Sequence, residues 1–211
     1  RKKKTIMTKN HKLMITNEKN RINADRNIPL TFSDKIYEIL GNSNGNIQGV
    51  YCDENNLYVF NNDEGFSESD KQAYLVKNQS GDNQNTAGIN GIGEALVIDR
   101  LLPEDKEALI FSFNPNKNEY KKLELGHFSY DEKGWQNMDN NDINFFKNIV
   151  SKCINEKYTS GSLKYIPLDI VNNIEYSTEV GLNEIKNACK KFLQNKINHL
   201  QDFKFFWNGE L

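Results

Sequence analysis

Gly88-Ile89-Asn90-Gly91-Ile92-Gly93 runs directly into the apolar stretch GEALVIDRLL at 93–102, and this junction decides how the chain is read. Glycines lack a Cβ and tolerate positive φ, so backbone N–H groups in such a turn can close on a phosphate. The apolar run behind them has helical character up to Pro103, and a helix N-terminus adds a dipole that favours anions. Taken alone, these glycines would also fit a dinucleotide-binding turn. That fingerprint, however, belongs directly after a first strand in a compact βαβ unit. Here the glycines close a polar stretch, 61–93, rich in Gly, Asn, Ser and Asp, which is too long for an idle connection and reads as a functional loop. The phosphate loop of P-loop NTPases, Gly-x-x-x-x-Gly-Lys followed by Ser or Thr, does not occur.

Working outward, two upstream segments carry compatible chemistry. In Glu38-Ile39-Leu40-Gly41-Asn42 the carboxylate and the amide are four residues apart, so on a helix both share one face. A carboxylate there can deprotonate a water, and a neutral amide oxygen one turn on can ligate Mg²⁺. The second segment, Asn61-Asn62-Asp63-Glu64-Gly65-Phe66, ends a strand-like run, where ligand contacts gather in α/β folds. Each segment alone is ordinary: a polar helix face and a turn.

Around these, the chain alternates helical and strand-like stretches. A helix is expected from Ser33, its N-cap, over SDKIYEILGNS, with Ile36, Ile39 and Leu40 on one face. GVYCD at 49–53 and LYVF at 57–60 form a hairpin about DENN, and a short helix covers Asp70–Lys77. ALIFSF and EYKKLEL flank an NPNKN turn. A helix near Asn144–Ile154, the strand SLKYIPL, an amphipathic helix over about Gly181–Leu200 and the strand FKFFW at 203–207 complete the pattern. Interleaved helices and antiparallel hairpins predict an α+β two-layer sandwich, a mixed and largely antiparallel sheet with helices on one face. Residues 31–211 form the domain, and 1–30 an N-terminal arm or strap without a sustained apolar period. The chain opens on Arg1, as an excerpt of a longer polypeptide would.

Composition narrows the function classes. A formal charge of −2 and a pI near 6.0 give no global support for nucleic-acid or membrane binding. The basic start Arg1–Lys4 reads as a solvated terminus rather than a phosphate-contacting arm. Cys52, Cys153 and Cys189 are far apart and form no CxxC pair, so they read as reduced, mostly buried thiols. Together with the lack of a membrane-span-length apolar stretch, they point to an intracellular protein, cytoplasmic or nuclear.

In order and spacing the three segments resemble the N, G1 and G2 boxes of the GHKL, or Bergerat-fold, ATPases, the superfamily of gyrase, heat-shock chaperones, histidine kinases and MutL. Thr159-Ser160-Gly161-Ser162 resembles the family's late Gly/Thr turn, and the last helix with FKFFWNGEL its closing elements, so the similarity spans about 33–211. The resemblance implies ATP with Mg²⁺ as ligand, Glu38 as general base and Asn42 as the Mg²⁺ ligand. It implies a phosphate lid shaped by Gly88, Asn90, Gly91, Ile92 and Gly93, and nucleotide contacts from Thr159. The family's base-reading aspartate falls on Asn61, with Asp63 and Gly65 at the box's glycines. A frame shifted by two makes Asp63 the base reader and Gly65 the first glycine. Acidic residues that often flank the family's Asn are replaced here by Gly41 and Gly45. The family's phosphate-sensing Lys or Arg, supplied by a following domain, has no counterpart in these residues. The activity implied is ATP hydrolysis with lid closure coupled to dimerisation or to a partner's conformational change. The alternative is a non-hydrolysing nucleotide-binding regulatory or scaffold module. Histidine phosphotransfer fits less well, because only His11 precedes the domain.

Overall fold

The computed structural model describes residues 31–41, 45–75, 94–103, 105–126, 134–168, 178–197 and 202–211. The expected arm, 1–30, lies outside them. Among the described residues, five α-helices, α1 (Phe32–Leu40), α2 (Glu68–Leu75), α3 (Glu94–Leu101), α4 (Asn140–Cys153) and α5 (Thr178–Ile197), accompany seven strands. The strands are β1 (Ile47–Cys52), β2 (Asn56–Asn61), β3 (Glu107–Asn114), β4 (Glu119–Gly126), β5 (Gln136–Asn137), β6 (Gly161–Pro167) and β7 (Lys204–Trp207). They form one sheet in the order β5-β4-β3-β6-β2-β1-β7. All pairings are antiparallel except β1 with β7. The mixed, largely antiparallel sheet of an α+β sandwich is therefore present.

Alternation along the strands sorts their side chains onto two faces. Val50, Leu57, Val59, Ile110, Leu123 and Ile166 pack with Ile36, Ile39 and Leu40 of α1, Val97 and Ile98 of α3 and Ile185, Ala188 and Phe192 of α5. The opposite face, with Ile47, Tyr58, Phe60, Phe111, Phe113 and Leu163, packs on Phe146, Ile149, Val150 and Cys153 of α4. The expectation of helices on one face thus holds for α1, α3 and α5 but not for α4. The reason is the sequence of α4, whose apolar positions recur at helical spacing and match an aromatic sheet face that would otherwise meet water. Gly49 makes this approach possible, since a Cβ there would lie 2.4 Å from Ile154 Cγ2 and 2.6 Å from the Cys153 carbonyl oxygen.

Local chemistry sets the helix ends. α1 is capped by Thr31 rather than Ser33: Thr31 Oγ1 accepts from the Asp34 N–H at 3.1 Å while Asp34 Oδ2 accepts from the Thr31 N–H at 3.1 Å, a reciprocal capping box. α4 begins at Asn140, four residues before the expected Asn144, because Asp139 and Asp142 make the same box. Its polar first turn conceals that start from an apolar-period reading. All three cysteines are free and buried, as expected. Burial pushes the Cys52 and Cys153 thiols up to about 12, so neither is a nucleophile at neutral pH. No helix among the described residues is long and apolar enough to cross a membrane.

Candidate functional site

Register places four polar residues in a row across neighbouring strands: Gln48 opposite Asn61, Asn61 opposite Ser162, and Ser162 opposite Ser112. All four are buried, none more than 1% exposed. Alternation puts them on the face covered by α1, α3 and α5, so they form a polar floor at one end of an otherwise apolar sheet.

Two side chains tie the C-terminal end of α1 to this floor. Gln48 Nε2 donates to the Leu40 carbonyl at 3.0 Å, and Lys164 Nζ donates to the Ile39 carbonyl at 2.8 Å. These are orphan carbonyls of a helix end, and a cation there also suits the helix dipole. Lys164 is fully buried and pairs at 2.6 Å with Glu94, the first residue of α3. One lysine on β6 thus joins the end of the Glu38 helix to the start of the helix behind the glycine-rich segment. Glu38 itself is buried, directly before the two held carbonyls.

Asn61 is the unusual member of the floor. Its side chain is 0% exposed, and neither Oδ1 nor Nδ2 has a hydrogen-bond partner among the described residues. Leaving a buried polar group unmatched costs about 1–3 kcal/mol, so such a group calls for a partner such as a water, an ion or a ligand. Asp63, by contrast, is fully engaged. Its Oδ2 accepts from Ser162 Oγ at 2.6 Å, its Oδ1 from the Gly65 N–H at 2.9 Å, and its carbonyl from Ser160 Oγ at 2.7 Å. Burial pushes its carboxyl up to about 6, against these hydrogen bonds and Lys164, which lower it. Gly65 has φ +78°, and a Cβ there would lie 2.6 Å from Ser112 Oγ. The Phe66 N–H donates to that hydroxyl at 2.8 Å, and Ser112 passes its proton bond to Glu119 at 2.6 Å. Lys71 completes the chain, 3.0 Å from Glu119 and 2.8 Å from Glu68.

Of the expected site residues, Asn61, Asp63 and Gly65 lie on the floor or its rim, and Glu38 is buried on α1, whose Ile39 and Leu40 carbonyls are held by Lys164 and Gln48. Thr159 is exposed in the bend before β6, and it is Ser162 of the same turn that reaches the floor. Asn42, Gly88, Asn90, Gly91, Ile92 and Gly93 lie outside the described residues. Sequence reasoning passed over Gln48, Ser112, Lys164 and Glu94. Strand alternation was the available signal for Gln48, Ser112 and Lys164, each a polar residue within a strand, whereas Glu94 opens a helix.

No family model matches the chain, and no curated protein matches it. Among solved structures, one described as "Crystal Structure of N terminal domain of a DNA repair protein" is similar, with a TM-score of 0.38 and 13% identity. The match covers 78% of this chain and 44% of that one, so the chain spans less than half of that structure's length. Similarity at this level assigns neither a family nor an activity.

Proposed function

We propose that the chain binds ATP with Mg²⁺ over the polar floor and hydrolyses it in the manner of a GHKL-type domain, with lid closure coupled to dimerisation or to a partner. The observation that carries this reading is Asn61, a fully buried amide whose two polar atoms find no partner among the described residues. It sits at the G1 position of the resemblance, beneath the helix that bears Glu38 and beside Ser162. Because Asp63 is already engaged by Ser162 and Gly65, the open amide of Asn61 is the better base reader.

In this reading Glu38 takes a proton from the attacking water, a role that suits a buried carboxylate at the end of a helix. Mg²⁺ keeps several waters and is carried mostly by phosphates, so the single amide ligand Asn42 is a sufficient share for the protein. Bound Mg²⁺ would supply charge neutralisation on the phosphates. Gly88, Gly91 and Gly93 would offer backbone N–H groups to the phosphates ahead of α3. The Glu94–Lys164–Ile39 link holds the two helices at a fixed separation.

A second reading, binding without hydrolysis, is favoured by the same Asn61. The family's carboxylate makes a charge-assisted bond that an amide cannot, which weakens the hold on the base. Turnover separates the two. Phosphate release by the wild type that falls at least a hundredfold in Glu38→Ala, with ATP binding retained, supports hydrolysis. Undiminished release in Glu38→Ala contradicts the assigned base, and binding with no release by the wild type supports the second reading. Asn42→Ala is expected to weaken ATP binding in Mg²⁺ but not in its absence.

A further inference from the structure

Two buried amides lie side by side on the floor, and their open atoms form a set. The Asn62 N–H donates to the Ile47 carbonyl at 3.1 Å, and the Ile47 N–H to Asn62 Oδ1 at 2.7 Å. The ladder contact therefore falls at the 47/62 step, and the next pair, Gln48 with Asn61, is of the narrow kind in which facing side chains come closest, with Cα atoms about 4.5 Å apart. Orientation of the Gln48 amide is fixed by its partner, because the Leu40 carbonyl can only accept. Its Oε1 is then the open atom, and this oxygen is buried with no partner among the described residues. Both amide atoms of Asn61 are open, so either orientation of that side chain is available.

The pair thus offers two acceptors, Gln48 Oε1 and Asn61 Oδ1, and one donor, Asn61 Nδ2. We infer that Gln48 and Asn61 together read the 6-amino edge of adenine, which makes Gln48 a specificity-determining residue; this rests on the nucleotide-binding reading above. The amine carries two N–H bonds on one nitrogen, one for each of the two oxygens, and the adjacent ring N1 accepts from Asn61 Nδ2. A carboxylate at position 61 could take an N–H but could offer nothing to N1 at neutral pH. The amide supplies that donor, and Gln48 supplies the second acceptor. Guanine places a carbonyl where adenine has its amine; the Asn61 amide can turn over to meet it, but the fixed Gln48 Oε1 then faces that oxygen acceptor to acceptor.

The test is calorimetric titration of the whole chain with Mg-ATP, with Mg-GTP, and with the Mg²⁺ complex of the ATP analogue that has hydrogen in place of the 6-amino group. Removing the amine takes away two hydrogen bonds from buried acceptors without adding bulk. The wild type is expected to bind ATP about a hundredfold more tightly than the analogue, about tenfold for each bond, and to bind GTP more weakly than ATP. Gln48→Met, of similar shape, should bring the preference for ATP over the analogue down to about tenfold. Equal binding of ATP and analogue overturns the inference, as does GTP binding as tight as ATP, while nucleotide binding stands. An unchanged preference in a folded Gln48→Met removes Gln48 from recognition. Failure of the wild type to bind any of the three overturns both the inference and the reading beneath it. The ligand comparison needs no variant to fold.

Discussion

Asp63 shows how a single side chain sets a pH dependence. Its carboxyl titrates near 6 in the folded chain against an ordinary value of 3.8, so the folded state binds the proton more tightly than the unfolded one. The stability contributed by this group is therefore fully present below about pH 4 and is lost as pH rises through 6, an amount on the order of 2–3 kcal/mol. Urea denaturation at a series of pH values should show this decline in the wild type and a shallower one in Asp63→Asn. Equal slopes in the two proteins would contradict the burial that raises the carboxyl. Glu38, Asn61, Asp63 and Gly65 stand out as candidates in the sequence because they lie in short motifs. Gln48 and Ser112 do not, and Ser162 does only as part of the turn 159–162, because they become neighbours of Asn61 only through strand register, which joins positions 48, 61, 162 and 112. Thr31 was missed as a cap because Ser33 looks equally suitable until Asp34 closes the box with Thr31.

Between elements, Lys164 links β6, α1 and α3 through the Ile39 carbonyl and Glu94. Breaking one side of a buried ion pair leaves an uncompensated charge, so Lys164→Met is expected to destabilise by about 3–5 kcal/mol. The double variant with Glu94→Gln should be less destabilised than the sum of the two single variants. A double-mutant cycle by urea denaturation measures the coupling, and strict additivity would show that the pair does not hold α1 and α3 together. The strands and helices themselves were legible from periodicity and turn chemistry, with ends displaced by a few residues. The start of α4 was hidden by its polar first turn, and β5, two residues long, carries too little pattern to be seen.

For the whole molecule, the sheet is a shared wall between two cores, one under α1, α3 and α5 and one under α4. The second was not foreseen, because which helix covers which face depends on chain path rather than on local pattern. Phe146 is fully buried there, with ring centroids 4.8 Å from Phe113 and 6.2 Å from Phe60. Phe146→Ala is expected to cost about 3–5 kcal/mol, and circular dichroism should still report one cooperative transition, since the strands serve both cores. Separate melting of α4 would show that the two faces are not one unit.

The central claim, that a nucleotide occupies the polar floor, is tested most directly by calorimetric titration of Mg-ATP into the wild type and Asn61→Leu, with the melting temperature of each apo protein measured alongside. An apolar side chain of similar size removes an unmatched buried amide, so Asn61→Leu should melt no lower than the wild type, while its ATP affinity falls about tenfold or more. ATP binding of equal strength in the two proteins, or none in the wild type, would contradict the account.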